Sequence, residues 1–245
     1  ILQLDNIDES VAHDIYIIED KKDITKFIPA SGAASRMFKA LHQLKAEVDE
    51  SSKSIDEFLQ KDEFTALKPF FDQFEKFAFA DEAKRSAEKK NANFDQLSKD
   101  DQHKALLASV LDEDQLGLAE LPKGLILFHQ YENEKLTPFE EHFYESADYA
   151  DHKDKAHLHF TVTDEHLSNF KEVEKRSKPA LEEKTELKYR IDYSFQEKST
   201  DTVAVKPDNS LFHLENGDLL FRPAGHGALI KNLNKIDSDL IFIKN

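Results

Sequence analysis

The stretch Ile24-Thr25-Lys26-Phe27-Ile28-Pro29-Ala30-Ser31-Gly32-Ala33-Ala34-Ser35-Arg36-Met37 changes character twice in a short span. Ile24 to Ile28 is a β-branched and aromatic run of strand length, and Pro29 to Ser35 is built of small residues. From Met37 the apolar positions Ala40, Leu41, Leu44 and Val48 recur at helical spacing. This reads as strand, tight loop, helix. Small residues let a backbone approach a ligand closely, and a helix N-terminus offers unpaired N–H groups at the positive end of its dipole. The loop therefore suits phosphate, with Arg36 in the first turn. Two phosphate loops are excluded: no Gly-Lys-Ser/Thr ends the stretch as in a P-loop, and Gly32 stands alone where a dinucleotide fingerprint has three glycines.

On the amino-terminal side, residues 14 to 18 form another strand-like run. On the carboxyl-terminal side, about Asp49 to Leu118, the periodicity is helical throughout, carrying a stripe of Phe70, Phe71, Phe74 and Phe77 that reads as a packing face. Strand-like and helix-like segments then alternate. Thr137 and Pro138 open a helix through Ala147, His157 to Thr163 is a strand, Asp164 is expected to cap a helix to about Lys175, and Lys188 to Phe195 is a strand. A hairpin at Asn216-Gly217, a helix near Ala228 to Leu233 and a strand over Asp239 to Ile243 complete the pattern. Such alternation predicts a mostly parallel sheet with helices on both faces and ligands at the carboxyl ends of its strands.

Composition narrows the chemistry. The 245 residues contain no Cys, which excludes disulfides, thiolate metal sites and cysteine nucleophiles and fits a reducing cytoplasm. No apolar run approaches the roughly 20 residues of a membrane helix, so no membrane partner is expected. Lys plus Arg is 33 against 49 Asp plus Glu, a formal charge of −16 that repels polyanions and argues against nucleic acid. A phosphorylated small ligand would need local amides and a few placed cations to overcome that field.

Further residues extend the pattern. Leu121-Pro122-Lys123-Gly124-Leu125 follows the helical stretch, then Thr137-Pro138-Phe139-Glu140-Glu141-His142, Gln196 to Val205, and Phe221-Arg222-Pro223-Ala224-Gly225-His226-Gly227. Taken in order with Gly32, Ser35, Arg36 and Met37, these resemble the sugar nucleotidyltransferases. That family's loop reads Gly-x-Gly-Thr-Arg-Met/Leu followed by Pro-Lys, and its UDP-sugar pyrophosphorylase branch has a Pro-Gly-Gly-His-Gly loop. The nearest resemblance is to an uncharacterised bacterial family with a domain of unknown function in the same superfamily. Ala34 stands where the family has its second glycine.

The resemblance implies a three-layer α/β/α Rossmann-like sandwich of the nucleotide-diphospho-sugar transferase type. Residues 1–48 and 119–245 would form the nucleotide-binding domain, expected to continue past Asn245, and 49–118 an all-helical insertion. It implies synthesis of an NDP-sugar and pyrophosphate from an NTP and a sugar 1-phosphate. The alternative is a non-catalytic nucleotide-sugar-binding or regulatory protein, and an interaction scaffold on the insertion is a third class. Arg36 would hold the pyrophosphate group, Lys123 the α-phosphate or sugar phosphate, and Ala30, Ser31, Gly32, Ala33 and Ser35 would surround the phosphates. Gln196, Arg222, Gly225, His226 and Gly227 would face the nucleotide. Mg²⁺ is the implied cofactor, with its Asp ligand expected just beyond Asn245.

Other chemistry-bearing residues have plainer readings. His157 and His159 share one strand face with His152 nearby, yet no carboxylate or thiol within the strand completes a metal site, so they read as packing histidines. Glu140-Glu141 and Asp112-Glu113-Asp114 read as solvated charge.

Overall fold

The computed structural model describes residues 23–222 and 226–244. The run at 14 to 18, residues 223–225 and Asn245 lie outside the described residues. The chain forms two compact units, Ile1–Ser31 with His142–Asn245, and Gly32–Glu141. The fold is mixed α/β with a mostly parallel sheet.

The sheet belongs to the first unit. Its strands are β1 (Ile24–Pro29), β4 (Asp151–His152), β5 (Lys155–Val162), β6 (Lys188–Phe195) and β9 (Leu240–Ile243), the shorter β2 (His129–Gln130), β3 (Lys135–Leu136), β7 (Thr202–Val203) and β8 (Phe221–Arg222) forming separate pairs. β1 pairs in parallel with β5 and with β9, β5 pairs in parallel with β6, and β4 folds back antiparallel on the start of β5. The parallel strands therefore run β6-β5-β1-β9, which in chain order is 3-2-1-4. The order reverses between β1 and β9, where the Lys244 N–H donates to the Phe27 carbonyl at 3.0 Å.

Alternation sorts the side chains of these strands. In register, Lys26, Leu158 and Ile191 share one face with Ile28, Phe160 and Tyr193. Helix α6 (Pro138–Tyr149) contacts that face through His142 on Phe160 and Phe143 on Tyr189, and α7 (Leu167–Thr185) contacts it through Phe170 on Tyr193. The opposite face carries Thr25, Phe27, His157, His159 and Ser194, and the short α8 (Ile230–Leu233) reaches it through Asn232 on Ser194. The α6 start is a capping box: Thr137 Oγ1 accepts from the Glu140 N–H at 3.3 Å while the Glu140 carboxylate accepts from the Thr137 N–H at 2.8 Å. Glu140 is thus occupied structurally.

The expected Asp164 cap is not formed. Asp164 begins a 3₁₀ turn without a side-chain cap bond, and α7 runs on through Pro179 to Thr185. Pro179 removes an interior N–H, but Phe170 and Leu181, both buried, anchor the helix on either side of it.

The second unit is helical: α1 (Ser35–Asp49), α2 (Ile55–Phe58), α3 (Lys68–Asp72), α4 (Ala80–Lys90) and α5 (Lys99–Leu111), with the β2–β3 hairpin (His129–Gln130, Lys135–Leu136). The Phe stripe is a core, as its spacing predicts: Phe38, Leu41, Leu44 and Val48 of α1 join Ile55, Phe58, Phe64, Phe71, Phe74, Leu107 and Val110 in one cluster. Each such side chain contributes about 1.5–3 kcal/mol by leaving water. In this shared core α1 buries its apolar face among the helices that follow it, so it groups with them in the second unit.

Candidate phosphate-binding site

The loop after β1 begins with Ala30, whose N–H donates to the Thr161 carbonyl at 2.8 Å, continuing the β1–β5 pairing. Ser31 follows, half-buried. In the second unit, Gly32, Ala33 and Ala34 then run antiparallel to Leu121, Pro122 and Lys123. The Ala34 N–H donates to the Leu121 carbonyl and the Lys123 N–H to the Gly32 carbonyl, both at 3.1 Å, around an Ala33–Pro122 bridge. The Pro-Lys segment, distant in sequence, is therefore fastened to the small-residue loop by backbone geometry.

Helix α1 starts at Ser35 with no side-chain cap bond and no acidic residue in its first turn. The Met37 N–H already donates to the Ala34 carbonyl at 2.8 Å. An uncapped N-terminus presents the positive end of a dipole, and an anion is its natural complement. Ser35, Arg36 and Lys123 are exposed, and among the described residues neither the Arg36 guanidinium nor the Lys123 ammonium has a side-chain partner. The site combines two uncommitted cations with an uncompensated helix start.

The departure at Ala34 does not crowd this loop. Its side chain is fully buried in the helical core with Phe38, so the methyl group points into packing. At Gly32 an added Cβ would meet nothing within 4 Å. The backbone there has no need of glycine, and the space beside it is open.

The remaining expected site residues lie in the first unit. The Gln196 amide donates to Asp201 at 3.4 Å, and Arg222 sits in β8 (Phe221–Arg222), paired with β7 (Thr202–Val203). Between β7 and β8 three segments close on one another: Phe212 N–H to Ala204 O, Ala204 N–H to Leu220 O and Leu220 N–H to Phe212 O, at 2.9, 2.7 and 3.2 Å. The hairpin at Asn216-Gly217 is the outer turn of this array, with Gly217 at φ +88°. Gln196 and Arg222 thus stand at the base of one small β array. His226 and Gly227 open the 3₁₀ turn preceding α8, and Gly225 lies outside the described residues.

Two polar groupings of the first unit carried no readable sequence signal. Thr25 Oγ1 bonds Ser238 Oγ at 2.6 Å and His157 Nδ1 at 2.7 Å, and His157 Nε2 bonds Asp192 Oδ2 at 2.7 Å. His159 bonds Ser194 at 2.8 Å and stacks on Phe27. Both strand histidines are engaged in packing and hydrogen bonding. The second grouping surrounds Lys26, fully buried in β1, which donates to Glu145 at 2.8 Å and to the His142 carbonyl at 3.1 Å. Burial lowers the Lys26 pKa against the opposing pull of Glu145. Burial, reinforced by Lys26, lowers His142 to about 4.

Among the described residues no group of three or more His, Asp or Glu is arranged to hold a metal ion.

A family model described as a domain of unknown function (DUF4301) matches residues 1–245. No curated protein and no solved structure matches the chain.

Proposed function

The chain belongs to the family of the domain of unknown function DUF4301, and from its own residues we propose that it is the phosphate-binding part of a sugar-1-phosphate nucleotidyltransferase. The observation that carries this reading is the antiparallel fastening of Leu121-Pro122-Lys123 to Gly32-Ala33-Ala34, which sets the Lys123 backbone opposite Gly32 in the small-residue loop that leads into α1. The first unit's parallel 3-2-1-4 strand order is that of an open α/β sheet, the architecture this reading calls for. A three-layer sandwich of the nucleotide-diphospho-sugar transferase type is the fold we propose for that sheet and its helices.

In the proposed reaction an oxygen of the sugar 1-phosphate attacks the α-phosphorus of an NTP. The bond from that phosphorus to the bridging oxygen breaks, and pyrophosphate departs with the electron pair. The protein's task is positioning and charge stabilisation. Arg36 and the amides at the α1 start would take the leaving pyrophosphate, and Lys123 the oxygens of the reacting phosphate. Mg²⁺, when supplied, would add neutralising charge to the phosphates.

The test is pyrophosphate release over a panel of NTPs and sugar 1-phosphates with Mg²⁺, alongside nucleotide binding. The expected result is release with at least one pair and its loss in Arg36→Ala and Lys123→Ala. Binding that depends on both cations without release would assign the chain to non-catalytic nucleotide-sugar recognition. Absence of both binding and release would overturn the reading.

A further inference from the structure

β6 borders β5 on one side, and among the described residues its other edge has no strand partner. In an extended strand the N–H and C=O of one residue point the same way and successive residues alternate. The Tyr189 N–H donates to Glu182 Oε1 at 3.0 Å, and the Phe195 carbonyl accepts from Asn232 Nδ2 at 2.7 Å, so neither group is turned toward β5. Lys188 bonds the other way, its N–H donating to the Asp154 carbonyl at 2.8 Å. The odd-numbered residues therefore face outward. Both ends of that outer edge are closed by side chains, and among the described residues the main-chain groups of Ile191 and Tyr193 between them have no partner on that side.

A groove of about 420 Å³ runs along α7, lined by Lys171, Glu174, Lys175, Lys178, Pro179 and Glu182. It adjoins the same strand, because Glu174 accepts from the Tyr193 hydroxyl at 2.9 Å and Glu182 holds Tyr189. Glu182 is further neutralised by Lys188 at 3.0 Å. Lys171, Lys175 and Lys178 follow one another on one side of the helix; among the described residues none of their ammonium groups forms a hydrogen bond or ion pair, and Lys178 acts on Glu182 through its charge alone. In a chain of net charge −16 this is a local positive strip beside an open strand edge.

We propose that this edge and groove receive an extended acidic segment of a partner protein by strand addition. The partner's main chain pairs with Ile191 and Tyr193, and every second side chain falls on the α7 face, where carboxylates meet the lysines. Solvated lysines on a lone helix would recruit any polyanion. The adjoining unpaired strand selects an extended peptide with acidic residues at alternate positions.

The probe is a labelled peptide of alternating Val and Glu, with a Val and Lys peptide of equal length as control, measured by fluorescence anisotropy. Amide exchange at Ile191 and Tyr193 is followed in parallel on the full chain. The Glu peptide is expected to bind, to slow exchange at both amides at least tenfold, and to lose at least tenfold in affinity in the Lys171→Glu/Lys175→Glu/Lys178→Glu variant, whose substitutions lie on the helix surface. The Lys peptide is expected not to bind. Equal binding of the two peptides, binding without slowed exchange at Ile191 and Tyr193, or no binding of the Glu peptide would overturn the proposal. Slowed exchange that rises with protein concentration alone would assign the edge to a second copy and likewise overturn it.

Discussion

Thr25 Oγ1 lies 2.7 Å from His157 Nδ1, and this contact joins two strands through the centre of a polar row that crosses the sheet. A carboxylate can only accept, so the His157 Nε2 bonded to Asp192 at 2.7 Å carries a hydrogen. In the neutral ring Nδ1 is then the acceptor, Thr25 donates to it, and Thr25 in turn accepts from Ser238. The row runs Ser238 to Thr25 to His157 to Asp192 with every donor assigned. It lies toward the amino ends of the parallel strands, remote from their carboxyl edge, and its role is to hold the strands together.

Thr25→Val keeps the shape of the side chain and removes the link. Thr25 is fully buried, so the loss leaves His157 Nδ1 and Ser238 Oγ without their partner. The expected destabilisation is about 1–3 kcal/mol in urea unfolding, with Thr25→Ser restoring most of it. A Thr25→Val and Ser238→Ala cycle should be non-additive, because both substitutions break the same bond.

Gly32→Ala separates fold from ligand at the candidate site. No atom lies within 4 Å of the added Cβ, and the backbone is not in the left-handed region. Stability should therefore be unchanged or raised by about 0.4–1 kcal/mol, since alanine restricts the unfolded chain. Affinity for tripolyphosphate should fall about tenfold, because the methyl group occupies the open space against the loop backbone that the proposed phosphate would use. Calorimetric titration checks this, and unchanged affinity would remove Gly32 from the site.

His142 makes the first unit sensitive to acid. Its pKa in the folded chain is about 4 against 6.5 for a free imidazole, burial being the larger cause and the Lys26 charge the next. Between those values the unfolded chain binds a proton that the folded chain does not, so stability rises with pH through this window. It is lost as pH falls from 6.5 toward 4 and levels below that. The difference amounts to about 3 kcal/mol. Urea unfolding midpoints from pH 7 to pH 4 should show this slope, and His142→Leu should reduce it.

The readable parts of the fold are those whose signal is local. Ile24 to Ile28 and Lys188 to Phe195 declare strands through residue type, and the Phe residues of the helical stretch declare a core through spacing. The turn at Asn216-Gly217 declares itself through a residue that tolerates φ +88°. The Lys123 pairing with Gly32 came from motif order alone, since no local pattern specifies which backbone a distant Pro-Lys will meet. Asp192 was illegible as the partner of His157 because that contact depends on the β5–β6 register, in which His157 stands opposite Arg190 and the carboxylate reaches across diagonally. Lys26 carries no local signal of burial within the strand Ile24–Pro29. Its burial follows from Glu145 on α6, whose placement is tertiary. Helix α7 runs past the expected end near Lys175 to Thr185, because burial of Phe170 and Leu181 holds it on either side of Pro179.

The Lys26–Glu145 pair should respond asymmetrically to removal of either partner. The Lys26 side chain is 0% exposed and that of Glu145 34%, so their alternatives on losing the partner differ. Glu145→Ala strands an ammonium with no path to water and leaves it the His142 carbonyl, the Tyr149 ring and the weaker field of Asp148. That should cost about 3–5 kcal/mol, the range for an uncompensated buried charge. Lys26→Met fills the same volume with an apolar chain, while Glu145 can turn toward solvent and Lys244, 3.7 Å away. Its cost should be no more than about 1–2 kcal/mol, because the partner left behind is partly hydrated. Adding Glu145→Ala to Lys26→Met should then cost far less than Glu145→Ala alone, because no ammonium remains to be stranded. Chemical denaturation of the two single variants and the double variant measures the order directly, and equal losses from the two single substitutions would show that Lys26 reaches water in the folded chain.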